Sequence, residues 1–188
     1  MKKILLYLLP SIFMCCYACK SDKAEVTPDI GLEPKPTALF TYSIPDNADP
    51  FTLSFKNESV NAVESRWSFA DDSTSTEASP THTFLNTGTY NVKLLSLNKE
   101  GFWAQKEETI NISASDLLHI KTANSPIGLQ VGFETVMDVK NVEWQIRRRE
   151  GNNTFIEIVN DKSFVRTIEP GIFYETDLII ETPKGSVA

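Results

Sequence analysis

From residue 37 onward, apolar and polar side chains alternate in short runs separated by turn-forming residues. Residues 39–44, 51–55 and 90–94 show this period of two, as do residues 142–146 and 174–180 further along. Alternate side chains on an extended chain point to opposite faces, so each run predicts a half-buried strand. No stretch repeats its apolar residues at the 3.6 spacing of an amphipathic helix. Many short strands at regular spacing predict an all-β chain folded as sandwiches.

The pattern occurs twice. Phe55 precedes Trp67 by 12 residues and Phe133 precedes Trp144 by 11; Tyr90 precedes Gly101 by 11 and Tyr174 precedes Gly185 by 11. The two halves, 37–113 and 114–188, therefore read as tandem sandwiches, the second a degenerate copy or a different Ig-like sandwich. Trp67, Phe69 and Tyr90 are the expected core anchors of the first, and Trp144 and Tyr174 those of the second. The Trp-to-Tyr distance grows from 23 to 30 residues. The added residues are expected to form a hairpin, 155–159 with 163–168, turning at Asn160-Asp161-Lys162. After Gly101, residues 102–112 supply a last strand; after Gly185 only Ser186-Val187-Ala188 follow. The backbone edge along 174–182 is thus expected to lack a partner, unless the 155–168 insertion covers it or the gene is truncated. An unpaired edge invites strand addition.

The N-terminus follows other rules. Lys2 and Lys3 precede an apolar run over residues 4–14, broken by Pro10 and Ser11. The run is too short to span a bilayer and fits the core of a signal peptide, residues 1–18. It ends in Cys16-Tyr17-Ala18-Cys19, which resembles the box read by bacterial lipoprotein signal peptidase, with the small Ala18 just before Cys19. The resemblance implies cleavage before Cys19 and lipidation of Cys19. All three cysteines of the chain, Cys15, Cys16 and Cys19, lie in this segment, so the mature protein would carry no disulfide and no thiol metal site. Residues 19–36, with Pro28, Pro34, Pro36 and few large apolar groups, read as a flexible tether. Within it, Lys20-Ser21-Asp22-Lys23 resembles the short charged signal that sends some Bacteroidetes lipoproteins to the cell surface, with one acid where that signal has two or three. The expected location is the outer membrane, on its surface or periplasmic face.

Between residues 67 and 92 the chain resembles a known family. Trp67-Ser68-Phe69-Ala70-Asp71-Asp72-Ser73-Thr74-Ser75 is similar to the "WDFGDGSTS" stretch of PKD (polycystic kidney disease) domains. Pro80-Thr81-His82-Thr83-Phe84 and Gly88-Thr89-Tyr90-Asn91-Val92 resemble that family's "PTHTY…GTYTV" stretch at the expected distance. The resemblance implies an Ig-like sandwich over 37–113, a structural role for His82, and an extracellular module that binds proteins or polysaccharides or acts as a spacer. The sequence departs from the pattern at Ser68, where the family has Asp, and at Ala70 and Asp72, where it has turn glycines. Asp71 and Asp72 are adjacent acids, far short of the roughly six to eight oxygens calcium takes.

Charge and chemistry narrow the function. The chain has a net charge of −7, and removing residues 1–18 takes away Lys2 and Lys3 and no acid, leaving −9. An acidic surface disfavours nucleic acid. The two histidines, His82 and His119, stand apart, and no nucleophile elbow, phosphate-binding loop, metal-ligand spacing or cofactor motif is present. The sequence therefore points to a binding or adhesion module, not an enzyme. Its candidate ligand contacts are Phe102 and Trp103, one of which must face outward, and the basic pair Arg147 and Arg149, two apart on one strand. Candidate partners are the membrane through the lipid, a polysaccharide, or a surface protein; the alternative function is a structural subunit that contacts a partner by strand addition at the second sandwich.

Overall fold

A computed structural model describes residues 34–45 and 49–188. Cys19, the signal segment and the tether up to residue 33 lie outside the described residues. The alternating runs become strands, and the architecture is all-β with two sandwiches in tandem. The first contains β1 (Phe40–Ser43), β2 (Thr52–Asn57), β3 (Glu64–Ser68), β4 (Thr74–Ser75), β5 (Thr81–Thr83), β6 (Gly88–Leu97) and β7 (Trp103–Ile112). They form two antiparallel sheets, β1-β2-β5 and β4-β3-β6-β7. One helical turn, α1 (Ala114–Leu117), leads into β8 (Leu118–Ser125), β9 (Gly128–Thr135), β10 (Asn141–Glu150), β11 (Asn153–Val159), β12 (Ser163–Arg166) and β13 (Phe173–Glu181). These build β12-β9-β8 and β11-β10-β13.

Apolar residues of both sheets meet inside the first sandwich. Trp67 and Phe69, two apart and so on one face, are each 2% exposed. The Trp67 ring lies 5.1 Å from Phe40 and 5.5 Å from Phe55 across the sandwich. Its indole N–H donates to the Glu77 carbonyl at 3.0 Å, so the large ring is buried without an orphaned donor. Val92 and Leu94 on β6 and Ile110 and Ile112 on β7 complete the core. Tyr90 stands at its rim, half-buried, its ring 4.1 Å from Phe84 and its hydroxyl donating to the Asn86 carbonyl at 2.6 Å. Pro36 is buried and Thr37 bridges to Val60, so the end of the proline-rich linker is held on this sandwich.

The second sandwich repeats the first in register. Trp67 pairs with Leu94 on β6, and Trp144 with Leu178 on β13; each leucine lies four residues beyond its tyrosine. The Trp144 indole donates to the Asp161 carbonyl at 3.0 Å, two residues beyond its β11 partner Val159, just as Glu77 lies two beyond Ser75. Phe133 packs on Trp144 at 6.1 Å as Phe55 packs on Trp67. From Tyr174 onward the copies keep one offset. Asn98 N–H donates to the Phe102 carbonyl and Gly101 N–H to Asn98; likewise Thr182 donates to Ser186 and Gly185 to Thr182. Gly101 and Gly185 hold φ of 84° and 89°, a region that strains other residues.

Two expectations are corrected. The inserted residues do not form a hairpin around residues 160–162. Instead β11 pairs with β10 through a two-residue turn at Gly151 (φ 56°), and β12 crosses to the other sheet to pair with β9. The crossing packs the half-buried Phe164 edge-on against Trp144 at 5.4 Å. Nor is the whole edge of β13 open. Ile180 and Ala188 exchange both backbone hydrogen bonds, and Thr182 bonds Ser186, so the C-terminal tail covers residues 180–182. The tail also fastens the second sandwich to the first. Ser186 Oγ donates to the Phe84 carbonyl and Val187 N–H to Leu85, each at 2.8 Å, and Lys184 pairs with the nearly buried Asp49 at 2.7 Å. Leu117, Met137 and Ile180 join the first sandwich's core cluster.

Candidate ligand-binding face

β6 and β7 run antiparallel with Leu97 opposite Trp103, and β3 places Glu64 opposite Leu97. Directly opposed residues share a face, so Glu64, Leu97 and Trp103 form one row on the outside of the sheet. Arg66, Leu95 and Gln105 form the next. Further along, Lys93 pairs with Glu107 at 3.4 Å, Thr109 donates to Asn91 at 2.8 Å and Thr89 to Asn111 at 3.3 Å. The result is an outer face with an exposed aromatic at one end and ion pairs, amides and hydroxyls beyond. Trp103 is 65% exposed and Phe102 40%, so both rings meet solvent and Trp103 stands on the outer row.

The hairpin that carries both aromatics is organised by Asn98, which the sequence reading did not single out. Its side chain is buried. Its Oδ1 accepts from the backbone N–H of Glu100 (3.1 Å) and Phe102 (2.9 Å), while its Nδ2 donates to the Pro34 carbonyl (3.3 Å). An asparagine three residues before a glycine between two strands is the available sequence signal, since Asn side chains mimic backbone turns.

Arg147 and Arg149 lie on the outer face of β10, on the second sandwich. Arg147 is paired with Asp177 and with Glu175 (3.5 Å), and Arg149 reaches Glu175 at 3.7 Å. The acids of β13 therefore neutralise much of this basic pair. The structure does not bring the two sets of candidate contacts together on one sheet. Tyr174 is half-buried against the second core, and Trp144 is fully buried.

His82 belongs to a turn cluster. Its ring stacks on Phe69 at 4.2 Å, and its Nε2 lies 2.7 Å from Asp71 Oδ2. Burial would raise the Asp71 carboxyl, but hydrogen bonds from Ser73 and His82 outweigh it and hold the group below the usual carboxylate value. The cluster locks the turn at residues 69–73, where Ala70 and Asp72 take φ of 63° and 66°. These are the two positions at which the sequence departs from turn glycines. Among the described residues no group of three or more His, Cys, Asp or Glu is placed to hold a metal.

The sheet β1-β2-β5 packed on β4-β3-β6-β7, with the buried Trp67 on β3, defines an Ig-like β-sandwich module. The PKD domain family matches residues 33–113, the span of the first sandwich, which is thus similar to PKD domains. The PKD1 domain of the Vibrio cholerae metalloprotease PrtV is 27% identical, covers 43% of this chain and 100% of its own, and superposes with a TM-score of 0.39. The PKD1 domain of Vibrio anguillarum Epp is 22% identical over 44% of this chain and 98% of its own, with a TM-score of 0.40. A carbohydrate-binding module of the β-sandwich superfamily is 13% identical over 81% of this chain and 86% of its own, with a TM-score of 0.41. No curated protein matches the chain.

Proposed function

We propose that the chain is a lipid-anchored, extracytoplasmic binding module that presents its PKD-like sandwich to a glycan or protein ligand, with no catalytic role. The observation that carries this reading is Trp103, a large aromatic left 65% exposed on the outer face of the sheet. The exposed Phe102 beside it widens the aromatic surface, and an indole presents a broad apolar face with a polar N–H edge suited to contact. A neutral polysaccharide suits the face best: the indole offers a stacking platform, and Gln105, Asn91 and Thr109 offer amides and hydroxyls. The anchor rests on the motif ending at Cys19, and the location that follows is the outer membrane, on either face.

Two substitutions test the reading. Trp103→Ala removes an exposed side chain and leaves the fold intact. Loss of binding to immobilised neutral polysaccharides supports the glycan reading; loss of a co-purifying outer-membrane protein with glycan binding absent throughout supports a protein ligand; unchanged capture of both refutes the face. Cys19→Ser shifts the protein from the membrane to the soluble fraction or leaves it unprocessed, and unchanged fractionation refutes the anchor.

A further inference from the structure

Strand β11, flanked in sequence by β10 and β12, pairs with β10 on one side only. Because β12 crosses to the other sheet, the second edge of β11 faces solvent, and every residue from Asn153 to Ile158 is exposed. The turn fixes which backbone groups line that edge. Glu150 and Asn153 flank a two-residue turn and so exchange hydrogen bonds, as do Arg148 with Phe155 and Ile146 with Glu157. The N–H and C=O of Thr154, Ile156 and Ile158 therefore point away from β10. Among the described residues no backbone group bonds to them. Their side chains share the outer face with Arg147 and Arg149, and Ile156 and Ile158 are 63% and 56% exposed.

Proteins ordinarily blunt such edges with short strands, prolines or charges. In the first sandwich the strand in the same place is β4, which has only Thr74 and Ser75. Lys106, Glu107 and Glu108 lie along the edge strand β7, Lys121 on β8, and Glu175 and Asp177 on β13. β11 runs for seven residues with no lysine and no proline. Its single charge, Glu157, turns to the inner face opposite Ile146 and pairs with Arg166 of β12. We propose that two copies of this chain pair along β11, edge to edge and antiparallel about a two-fold axis at Ile156, joining two three-stranded sheets into one.

The edge is self-complementary in that register. Ile156 lies opposite Ile156 of the second copy, and Thr154 opposite Ile158, so all three outward-facing residues exchange both backbone hydrogen bonds. On the outer face the isoleucines of the two copies cover one another. On the inner face Glu157 falls opposite Phe155 of the second copy, over which Arg148 is placed at 5.2 Å, so the acid meets a basic neighbour. Arg147, beside Ile156, is held by Asp177 and Glu175 and adds no repulsion. Neighbouring registers fit less well. A centre at Glu157 sets acid against acid, and like charges directly opposed are destabilising. A centre at Phe155 sets Ile158 opposite the turn residue Asn152.

The test is sedimentation of the full chain in a non-ionic detergent across a range of concentrations, with amide exchange as a second readout. The wild type shifts from monomer to dimer as concentration rises. The amides of Thr154, Ile156 and Ile158 slow with it, while those of Phe155 and Glu157, already bonded to β10, do not change. Ile156→Lys sets lysine against lysine and weakens the dimer by about tenfold or more. Ile158→Lys weakens it too, and adding Thr154→Glu, which meets that lysine only across the two-fold axis, restores it. Trp103→Ala leaves the dimer intact, which separates this contact from the ligand-binding face. A chain that stays monomeric at every concentration overturns the proposal. So does a dimer that Ile156→Lys leaves unchanged, and so does a Thr154→Glu, Ile158→Lys double variant no tighter than Ile158→Lys alone. Amides of Thr154, Ile156 and Ile158 already slow in the monomer mean that the chain covers this edge itself and overturn it as well.

Discussion

Replacing Ala70 with glycine should make the protein more stable. Ala70 closes the turn after β3 with φ of 63°, where the Cβ of an L-residue crowds the following carbonyl oxygen. That conformation costs roughly 1–2 kcal/mol for alanine and nothing for glycine. Glycine returns part of the gain through the larger entropy of its unfolded chain, about 0.4–1 kcal/mol. Ala70 is exposed, so deleting its methyl group forfeits no packing. The net expectation is a stabilisation of about 0.5–1 kcal/mol. Asp72 has φ of 66° too, but aspartate tolerates this region through local hydrogen bonding, so Asp72→Gly should gain less. Urea unfolding followed by tryptophan fluorescence measures both, with unchanged m-values confirming that the unfolded state is not altered. Each kcal/mol moves the melting temperature by about 2–4 °C if the sandwiches unfold together, and about 4–8 °C if the first unfolds alone. The size of the shift thus also reports how tightly the C-terminal tail couples the two. A neutral or destabilising Ala70→Gly, or a larger gain at Asp72, refutes the account of the turn.

Trp67→Ala and Trp144→Ala should each cost about 3–5 kcal/mol, since each deletes the largest buried ring of its sandwich; a near-wild-type unfolding midpoint for either refutes the shared register. Asp71 has a lowered carboxyl pKa in the fold, so its contribution is present above the unfolded value near 3.9 and is lost as pH falls through the folded one. The stability gap between the wild type and Asp71→Asn should therefore close as the solution is acidified below about pH 4; a gap that persists undiminished through that acid range contradicts this. Lys184→Met strips the cation from Asp49, whose side chain is only 8% exposed. It should destabilise by about 1–3 kcal/mol, the exposed lysine end being partly screened, and Asp49→Asn in the same background should recover part of the loss.

What the sequence determined by itself was local and periodic. The alternation at Trp67 and Phe69 specifies which face each side chain takes, because a strand's geometry depends on no other part of the chain. The paired intervals from Tyr90 to Gly101 and from Tyr174 to Gly185 were enough to align the two halves, while the hairpin that repeats at Gly185 emerged only from the structure. That one of Phe102 and Trp103 must face outward was legible from the same alternation. Tertiary structure decided everything that depends on pairing between distant strands. Residues 155–159 and 163–168 read as a hairpin, yet their strands join different sheets, and Phe164 packs on Trp144 from across the sandwich. Arg147 and Arg149 read as a basic patch until β13, some thirty residues on, sets Asp177 and Glu175 against them. The tail at residues 185–188 reads as a stub, and only its contacts with Phe84 and Leu85, a hundred residues away, make it the strap between the two sandwiches. Period and turn chemistry are properties of a window a few residues long; edge coverage and charge compensation belong to the surface that folding assembles from windows far apart.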